Sequence, residues 1–458
     1  MQTLKCSEIM EAVGGTLLSG NSGTVITGVS TDSRSINAGN LFIPITGERF
    51  DGHDFIVQAF ERGAAACLTH KEDTPDVDGT VIKVADTLRA LGNLAAFYRK
   101  RFNIPVVGIT GSVGKTSTKD MIAAVLSQQY RVLKTEGNFN NEIGLPLTIF
   151  NLDKTHECAV IEMGMSGFGE ISRLSKISQP DIAVITNIGL SHIEKLGSRQ
   201  NILKAKMEIL EGLSKNGVVI LNVDDQLLSG MRNLLPYKTI FYGLEDDTDY
   251  QAFDVKTAGE QGTYFRIEIN NKTYEVHIPV PGIHNVHNAL AAIAVGIELK
   301  VPVEKIIKGI GEFTPGKMRL NILNFNGIKI INDAYNASPQ SMEAALGVLK
   351  DITGTRRIAV LGDMLEMGSW ADKAHKDVGK FAFESGVDVL ISVGENGRNI
   401  AKGALESGMN PENVHHCENN AEIVKLLEGF ITSGDVVLVK GSRGMKMEEI
   451  VERLTAGK

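Results

Sequence analysis

Residues 108–117 (GITGSVGKTS) have the types and spacing that can hold the phosphates of a nucleotide. Glycines let backbone N–H groups converge on phosphate oxygens, Lys115 can reach the β- and γ-phosphates, and the Thr116 hydroxyl can bind Mg²⁺. The general pattern G-x-x-x-x-G-K-[ST] requires a glycine where this sequence has Ile109. The sequence therefore predicts a nucleotide-binding loop with unusual spacing, and the alternative is a glycine-rich turn with an incidental Lys-Thr pair.

The segments on either side of this loop favour the nucleotide-binding interpretation. The apolar run IPVVGIT predicts a strand before the loop, and KTSTKDMIAAVLSQQ predicts a helix after it. A loop in this context lies at a helix N-terminus, whose positive potential attracts phosphate. The predicted nucleotide-binding residues are Thr110, Gly111, Ser112, Val113, Gly114, Lys115, Thr116 and Ser117.

Two further residues follow apolar runs that predict parallel strands. Glu162 ends CAVIEM, and His192 follows DIAVITNIG. The carboxyl ends of parallel strands face the ligand crevice, so Glu162 can hold Mg²⁺ and His192 can bind the metal or its water. The alternatives are a solvent-facing acid and a histidine that is merely hydrogen-bonded. Lys204 and Lys206, on the predicted helix QNILKAKMEILEGL, read from composition as a solvated face.

Asparagines are dense in two other places. GNFNNEIGLPLT (137–148) is either a plain loop or a polar wall beside the phosphates that involves Asn138, Asn141 and Glu142. Asn285 and Asn288 lie about a turn apart at the start of a predicted helix. They could read the polar edge of a base, and the alternative is helix capping.

Polar residues also follow the first and last predicted strands of the C-terminal part. Both groups lie on the ligand side of an open α/β sheet, which suggests an enzyme that closes over ATP and a second substrate. They are Asp333, Tyr335 and Asn336 in INDAYNASP, and Lys440, Ser442 and Arg443 in KGSRGMKME.

The elements that must position these residues predict an α/β protein of three domains. Residues 1–83 read as a small mixed domain with short strands. Residues 84–313 alternate apolar runs with amphipathic helices, which is typical of a mostly parallel sheet, and 254–280 predict antiparallel hairpins at its edge. A second βα series over 314–458 predicts a Rossmann-like domain, after a hinge near Pro315 and Gly316.

Composition limits the class of protein. The net charge of −8 argues against nucleic acids and anionic membranes as partners. The four cysteines are scattered, which disfavours a disulfide framework or zinc site and suits a reducing cytoplasm. The N-terminus has no apolar signal core, and no apolar run reaches 18 residues, so we expect a cytoplasmic protein without membrane insertion.

Taken together, these motifs resemble the Mur ligase family of peptidoglycan synthesis, which has folylpolyglutamate synthetase as a relative. The family loop T-G-x-x-G-K-[TS] matches residues 110–116, and further matches follow in the family's order over nearly the whole chain. These are Glu162, TNIG with His192, Lys206 in AKMEI, NVDD at 222–225, and HNVHNALAA.

Three stretches are similar to the family members that add D-alanyl-D-alanine: GNFNNEIGLPLT, VLGDMLEMG (360–368) and VLVKGSRGMKMEEIV (437–451). NDAYNASP is close to the DDSYNANP of those members, with Asn332 in place of the first acid. The segment STDSRSINAGNLFIPITGERFDGHDFI resembles a domain that binds the uridine nucleotide. That resemblance places Ser33, Arg34 and Phe42 near UDP.

The resemblance implies an ATP-dependent amide ligase that joins D-alanyl-D-alanine to UDP-N-acetylmuramoyl-tripeptide through an acyl phosphate. It implies Mg²⁺ near Thr116 and Glu162, and a second Mg²⁺ near His192 and a carbamylated Lys206. Lys115, Glu162, His192 and Lys206 would then be the catalytic residues.

The resemblance also implies the remaining contacts: adenine at Asn285 and Asn288, ribose or phosphates at Asp333 and Asn336, phosphates at Arg319, and the dipeptide at Lys440, Ser442 and Arg443. We expect a monomer, and the third residue of the tripeptide, lysine or diaminopimelate, stays open. The alternatives are a sister amide ligase, including folylpolyglutamate synthetase, and a nucleotide-binding switch or scaffold without ligase chemistry.

Overall fold

A computed structural model describes residues 1–456 of the chain. It divides into two compact units, one of residues 1–110, 130–183 and 207–218, the other of residues 111–129, 184–206 and 219–456. The α/β class predicted above is confirmed, because helices alternate with mostly parallel strands along the chain. The division into domains 1–83, 84–313 and 314–458 stays a prediction.

The first 83 residues build a small mixed sheet around its own core. Its strands run in the order β2-β7-β6-β5-β4, parallel except for β2 against β7, and β1 pairs with β3. The elements are β1 (Leu4–Lys5), α1 (Cys6–Val13), β2 (Thr16–Ser19), β3 (Val25–Ile26), β4 (Gly28–Ser30), β5 (Asn40–Phe42), α2 (Ile56–Glu61), β6 (Ala66–Thr69) and β7 (Thr80–Lys83).

The next segment contains the strand, loop and helix predicted around residues 108–117. Strand β8 ends at Thr110 and helix α4 begins at Lys115, so the loop occupies the turn between them. The elements are α3 (Thr87–Arg99), β8 (Val106–Thr110), α4 (Lys115–Leu126), β9 (Val132–Lys134), α5 (Gly144–Ile149), β10 (Cys158–Glu162), α6 (Glu170–Ser178), β11 (Ile182–Ile185), α7 (Ile193–Leu196) and α8 (Arg199–Met207). Strands β8 and β10 are buried along their whole length, as apolar runs in a parallel sheet require.

Antiparallel strands then extend the sheet, as predicted for 254–280. The elements are β12 (Val218–Asn222), α9 (Gln226–Ser229), β13 (Lys238–Gly243), β14 (Tyr250–Thr257), β15 (Thr263–Ile269), β16 (Lys272–Ile278), α10 (His284–Glu298) and α11 (Val303–Gly311). The nine strands follow the order β16-β15-β14-β13-β12-β11-β8-β10-β9, so β16 is an edge strand. It pairs with β15 in antiparallel register.

The C-terminal βα series forms a six-stranded sheet in the order β17-β18-β22-β19-β20-β21, parallel except for β17. Its elements are β17 (Asn321–Phe325), β18 (Ile328–Asp333), α12 (Pro339–Asp351), β19 (Arg356–Gly362), α13 (Ala371–Glu384), β20 (Val389–Val393), α14 (Gly397–Glu406), β21 (Val414–Cys417), α15 (Asn420–Phe430), β22 (Asp435–Lys440) and α16 (Glu448–Thr455). Residues 333–336 and 440–443 follow the adjacent parallel strands β18 and β22, which end at the same edge of this sheet.

Across residues 1–456, no helix combines the length and the apolar character that crossing a bilayer demands.

Candidate functional site

At two positions, the loop 110–114 adopts a backbone conformation that only glycine tolerates. Gly111 has φ +152° and Gly114 has φ +81°. A Cβ on Gly111 would lie 1.9 Å from Thr186 Oγ1, so the loop and the TNIG segment approach each other without a side chain between them. The Thr186 hydroxyl donates to the Val113 carbonyl over 2.7 Å.

Asn187 binds the same loop from the same segment. The Ser112 N–H donates to the Asn187 carbonyl and the Val113 N–H donates to Asn187 Oδ1, each over 3.0 Å. Thr186 and Asn187 therefore shape the loop, a role that the TNIG motif alone did not predict. The signal was present in the motif, but a role in shaping a loop 73 residues away along the chain requires the tertiary structure.

Lys115 and Thr116 lie in the first turn of α4, where the prediction requires them. Lys115 Nζ donates to the carbonyls of Gly111 and Ser112 over 2.8 and 3.2 Å, so the ammonium curls back over the loop. The Thr116 hydroxyl accepts a hydrogen bond from Arg319 Nη2 over 3.0 Å. Arg319, which is predicted to contact the phosphates, therefore contacts Thr116, which is predicted to bind the metal.

Tyr335 supports this arginine. The guanidinium carbon of Arg319 lies 4.0 Å from the centroid of the Tyr335 ring, which is within the range of a cation–π contact. Tyr335 follows β18 in the INDAYNASP motif, and its backbone N–H donates to the Met318 carbonyl. The motif therefore acts on Arg319 through the aromatic ring.

In the first unit, Glu162 is 1% exposed, which excludes the solvent-facing alternative. Its Oε1 accepts from Asn140 Nδ2 over 2.7 Å, while its buried Oε2 has no hydrogen-bond partner. The buried hydroxyl of Thr110 also has no partner. Buried polar atoms without partners are costly, so these two oxygens are suited to contact a polar ligand. The asparagine-rich stretch predicted roles for Asn138, Asn141 and Glu142, but not for Asn140.

In the second unit, Ser112 Oγ is likewise buried without a hydrogen-bond partner. Ser112 lies in the part of the glycine-rich loop where a phosphate-binding loop contacts the oxygens of its ligand. Within residues 1–456, no three or more His, Cys, Asp or Glu side chains form a group that could hold a metal.

Lys206 is buried, at 1% exposure, and this overturns the solvated-face interpretation from composition. Lys204, two residues earlier on α8, is exposed and keeps that interpretation. Burial holds the pKa of Lys206 well below its ordinary value, and the positive charge of Lys115 acts in the same direction. The structure therefore favours a neutral amine, and a neutral amine is the form that can add CO₂ to become a carbamate.

His192 lies at the start of α7 and its imidazole is partly buried. Burial lowers the pKa of His192; the negative charge of Glu366 opposes this, and the positive charge of Lys115 reinforces it. His192 Nδ1 lies 2.6 Å from Glu366 Oε2. Glu366 belongs to the stretch VLGDMLEMG, which the sequence analysis quoted without assigning this residue to the site.

Asn285 and Asn288 are both buried, and neither caps helix α10. Asn288 Oδ1 accepts from the Thr118 hydroxyl over 2.8 Å, and its Nδ2 donates to Asn285 Oδ1 over 3.0 Å. Asn285 Nδ2 donates to the Pro281 carbonyl over 2.8 Å. The capping alternative is therefore wrong, and the contact with adenine stays a prediction.

The two groups of polar residues at the edge of the C-terminal sheet meet. Lys440 is 2% exposed, and its ammonium pairs with Asp333 Oδ2 and donates to the Asn336 carbonyl over 2.9 Å. Ser442 Oγ accepts from the Leu365 N–H, and Arg443 pairs with Glu448 over 2.8 Å. Lys440 therefore holds the loop after β18, while its predicted contact with the dipeptide remains untested.

The remaining predicted substrate contacts lie in the first unit. Asn141 Oδ1 accepts from the Gly144 N–H over 2.8 Å at the start of α5, Glu142 pairs with Arg173, and Asn138 is exposed. In the N-terminal sheet, the Ser33 hydroxyl donates to Gln58 Oε1 over 2.7 Å and Arg34 pairs with Asp32 over 2.8 Å. The Phe42 ring, which is 1% exposed, packs in the local core. Ligand roles for all of these residues stay predictions.

Comparisons with known proteins cover most of the chain. Residues 25–99 match the model of the Mur ligase family, catalytic domain, residues 109–296 the Mur ligase middle domain, and residues 318–443 the Mur ligase, glutamate ligase domain. The chain is 46% identical over 450 residues to a UDP-N-acetylmuramoyl-tripeptide–D-alanyl-D-alanine ligase from Bacillus subtilis (strain 168), covering 97% of each chain.

Solved structures agree. A crystal structure of MurF from Acinetobacter baumannii has a TM-score of 0.92 at 32% identity and covers all of both chains. The MurF ligase from Thermotoga maritima in complex with ADP has a TM-score of 0.84 at 30% identity, with 94% of this chain and 97% of that chain covered. These matches run through both units and include the loop, TNIG and the C-terminal sheet, and the chain therefore belongs to the Mur ligase family.

Proposed function

We propose that this chain is an ATP-dependent ligase that joins D-alanyl-D-alanine to UDP-N-acetylmuramoyl-tripeptide. The observation that carries this proposal is the 46% identity, over 97% of each chain, to the Bacillus subtilis ligase of that name. The products would be UDP-N-acetylmuramoyl-pentapeptide, ADP and phosphate. Residues 1–83 would bind the uridine nucleotide, residues 84–313 ATP, and residues 314–458 would complete the site.

The chemistry that suits this loop is carboxylate activation. A carboxylate oxygen of the tripeptide attacks the γ-phosphorus, the bond to the β-phosphate oxygen breaks, and ADP leaves. The amine of the dipeptide then attacks the acyl carbon and loses a proton. The bond between the acyl carbon and the phosphate oxygen breaks, and phosphate leaves. Such reactions depend mostly on positioning and charge neutralisation. Lys115 contacts the loop and Arg319 contacts Thr116, and both would supply positive charge to the transferring phosphoryl group.

Mg²⁺ fits the residues proposed to hold it. The Thr116 hydroxyl and the unpartnered Glu162 Oε2 are hard oxygen donors of the kind that Mg²⁺ prefers. Lys206 fits only as a carbamate, because an ammonium would repel a cation, and its burial favours the neutral amine that carbamylation needs. His192 would bind the second ion or its water. Bound Mg²⁺ would neutralise charge on the phosphate oxygens.

A direct assay tests the proposal. Protein, ATP, Mg²⁺, UDP-N-acetylmuramoyl-tripeptide and D-alanyl-D-alanine should release ADP and phosphate and form the pentapeptide product, and leaving out the dipeptide should stop turnover. Running lysine- and diaminopimelate-containing tripeptides in parallel identifies the third residue. Release of AMP and pyrophosphate would contradict an acyl-phosphate route. Turnover that does not depend on the dipeptide would favour a nucleotide-binding switch, and ligation of glutamate to a folate would favour a folylpolyglutamate synthetase.

We also infer a monomer in the cytoplasm. All four cysteines are buried as free thiols, which suits a reducing compartment. Size-exclusion chromatography with light scattering should give one chain's mass, 49.5 kDa. A dimer mass at micromolar concentration would overturn the monomer.

A further inference from the structure

The loop after β19 contacts the start of α7 at three points. His192 Nδ1 lies 2.6 Å from Glu366 Oε2, and the Glu194 N–H donates to the Glu366 carbonyl over 3.4 Å. A Cβ on Gly368 would lie 3.1 Å from Glu194 Cγ, so the two segments are closely packed. Glu366 therefore reaches His192 from a segment 174 residues away along the chain.

Both partners of the short contact have uncommon backbones. His192 and Glu366 each have φ +62°, in the left-handed region. Few residues other than glycine adopt this region; histidine is enriched there, but glutamate is not. Such conformations persist where the surrounding structure holds them and are concentrated at functional sites. Two of them meeting through one hydrogen bond indicates that this contact is built into the fold.

The chemistry of the contact fixes the imidazole. An ionised carboxylate can only accept hydrogen bonds, so Nδ1 must carry the hydrogen. In a neutral imidazole, Nε2 then keeps its lone pair, which is the form that binds a metal or accepts a hydrogen bond from its water. A carboxylate behind a histidine is a recurrent way to set both tautomer and ring orientation.

We propose that Glu366 is a positioning residue that holds His192 in its Nδ1–H tautomer and thereby leaves the lone pair of Nε2 available to the metal. The part concerning the metal rests on the function proposed above, whereas the tautomer does not. The stretch VLGDMLEMG would then position His192 through Glu366, a role that its resemblance to the dipeptide-adding ligases left open.

Side-chain ¹⁵N NMR of the ligand-free protein tests the tautomer. The His192 ring, assigned by its loss in His192→Gln, should show the Nδ1–H form at pH 8. Glu366→Ala removes the side chain and should shift His192 toward the Nε2–H form that prevails in water. Glu366→Gln keeps the shape, and its amide can donate to Nδ1 as well as accept from it, so it should shift His192 part of the way. Glu418→Gln, which disrupts an exposed pair with Arg398, should change nothing. An unchanged Nδ1–H form in both Glu366 variants would overturn the proposal.

Metal binding tests the second part, with Mn²⁺ and ADP as probes followed by electron paramagnetic resonance. Glu366→Gln should weaken Mn²⁺ binding by about tenfold to a hundredfold. In a His192→Ala background the same change should have no further effect, because Glu366 acts through the imidazole. Equal Mn²⁺ affinity in wild type and Glu366→Gln would overturn the part of the proposal that concerns the metal. If His192→Ala alone leaves the affinity unchanged, the metal role in the proposed function fails, and the NMR result for Glu366 stands separately.

Discussion

At the scale of single residues, Lys206 carries the sharpest expectation. Replacing it with alanine removes the only atom that carbamylation can modify at this position. We expect activity to fall by roughly a hundredfold or more, and a small added carboxylate should restore part of it by supplying the missing oxygens. Steady-state ADP release with and without acetate or formate measures both effects.

Lys204 provides the matched control, because it lies on the same helix but is exposed. Lys204→Ala should keep wild-type turnover and show no response to the carboxylate. Full activity of Lys206→Ala would remove the carbamate from the mechanism.

The two lysines also show where sequence reasoning stops at this scale. Alternating polar residues on a helix predict a solvated face, and only the packing of α8 separates the buried Lys206 from the exposed Lys204. The hydrogen bond from Arg319 to Thr116 joins residues 203 positions apart, which no local pattern encodes. The loop itself was predictable, because its strand, glycines, lysine and helix are adjacent in the chain.

At the scale of elements, the phosphate loop depends on Gly111. A methyl group there would meet Thr186 Oγ1 at 1.9 Å and would have to occupy a strained backbone conformation. Gly111→Ala should therefore shift the loop away from TNIG and weaken ATP binding by about tenfold or more. Isothermal titration with ATP and Mg²⁺ measures the loss.

Gly347→Ala on α12 is the control, because nothing lies within 4 Å of the added Cβ. It should leave ATP affinity unchanged and stabilise its helix by about 0.5–1 kcal/mol. Equal ATP affinity in both variants would show that the close approach of loop and TNIG does not matter.

Strands β19 and β22 are joined at their starts by an ion pair between the buried Asp435 and the partly exposed Arg356. Arg356 Nε and Nη2 donate to the two carboxylate oxygens of Asp435 over 3.0 and 2.6 Å, and the Thr432 N–H donates to the same carboxylate. Burial by itself would raise the pKa of Asp435, but Arg356 and Thr432 outweigh it and hold the pKa below its ordinary value.

Asp435→Asn should lower the free energy of unfolding by about 1–3 kcal/mol at pH 7. Because the folded pKa is depressed, the contribution of Asp435 is complete above the unfolded pKa of about 3.9 and is lost as the pH falls below it. Urea unfolding of wild type and variant should therefore converge in acid. Glu406→Gln, in an exposed pair with Lys376, should leave stability unchanged at any pH. A constant difference for Asp435→Asn from pH 7 to pH 3 would argue against this account.

At the scale of elements, prediction from sequence succeeded where a pattern repeats. Apolar runs predicted β8, β10 and β22, and the antiparallel hairpins predicted over 254–280 are found in β14, β15 and β16. The pairing of β22 between β18 and β19 was not predictable, because these strands are similarly apolar and their order depends on contacts distant in sequence.

At the scale of the whole molecule, nucleotide binding should increase the free energy of unfolding. A ligand that binds only the folded state at a hundred times its dissociation constant adds about 2.7 kcal/mol to the free energy of unfolding. We therefore expect ADP with Mg²⁺ to raise the unfolding midpoint of the wild type in a thermal scan.

Lys115→Ala should reduce this rise, since it removes the ammonium that lies over the loop. A control scan with Mg²⁺ alone separates metal from nucleotide. An equal rise in wild type and Lys115→Ala would place the nucleotide elsewhere.

The edge strand β16 has a consequence for how molecules meet in a crowded cell. An open strand edge offers unpaired backbone groups to any other strand, including that of another copy. Here that edge carries Lys272 and Glu275, and Lys272 lies 3.9 Å from Glu304 of α11. Charged side chains on an edge strand disfavour pairing with a foreign strand, so we expect this edge to oppose association between copies of the chain.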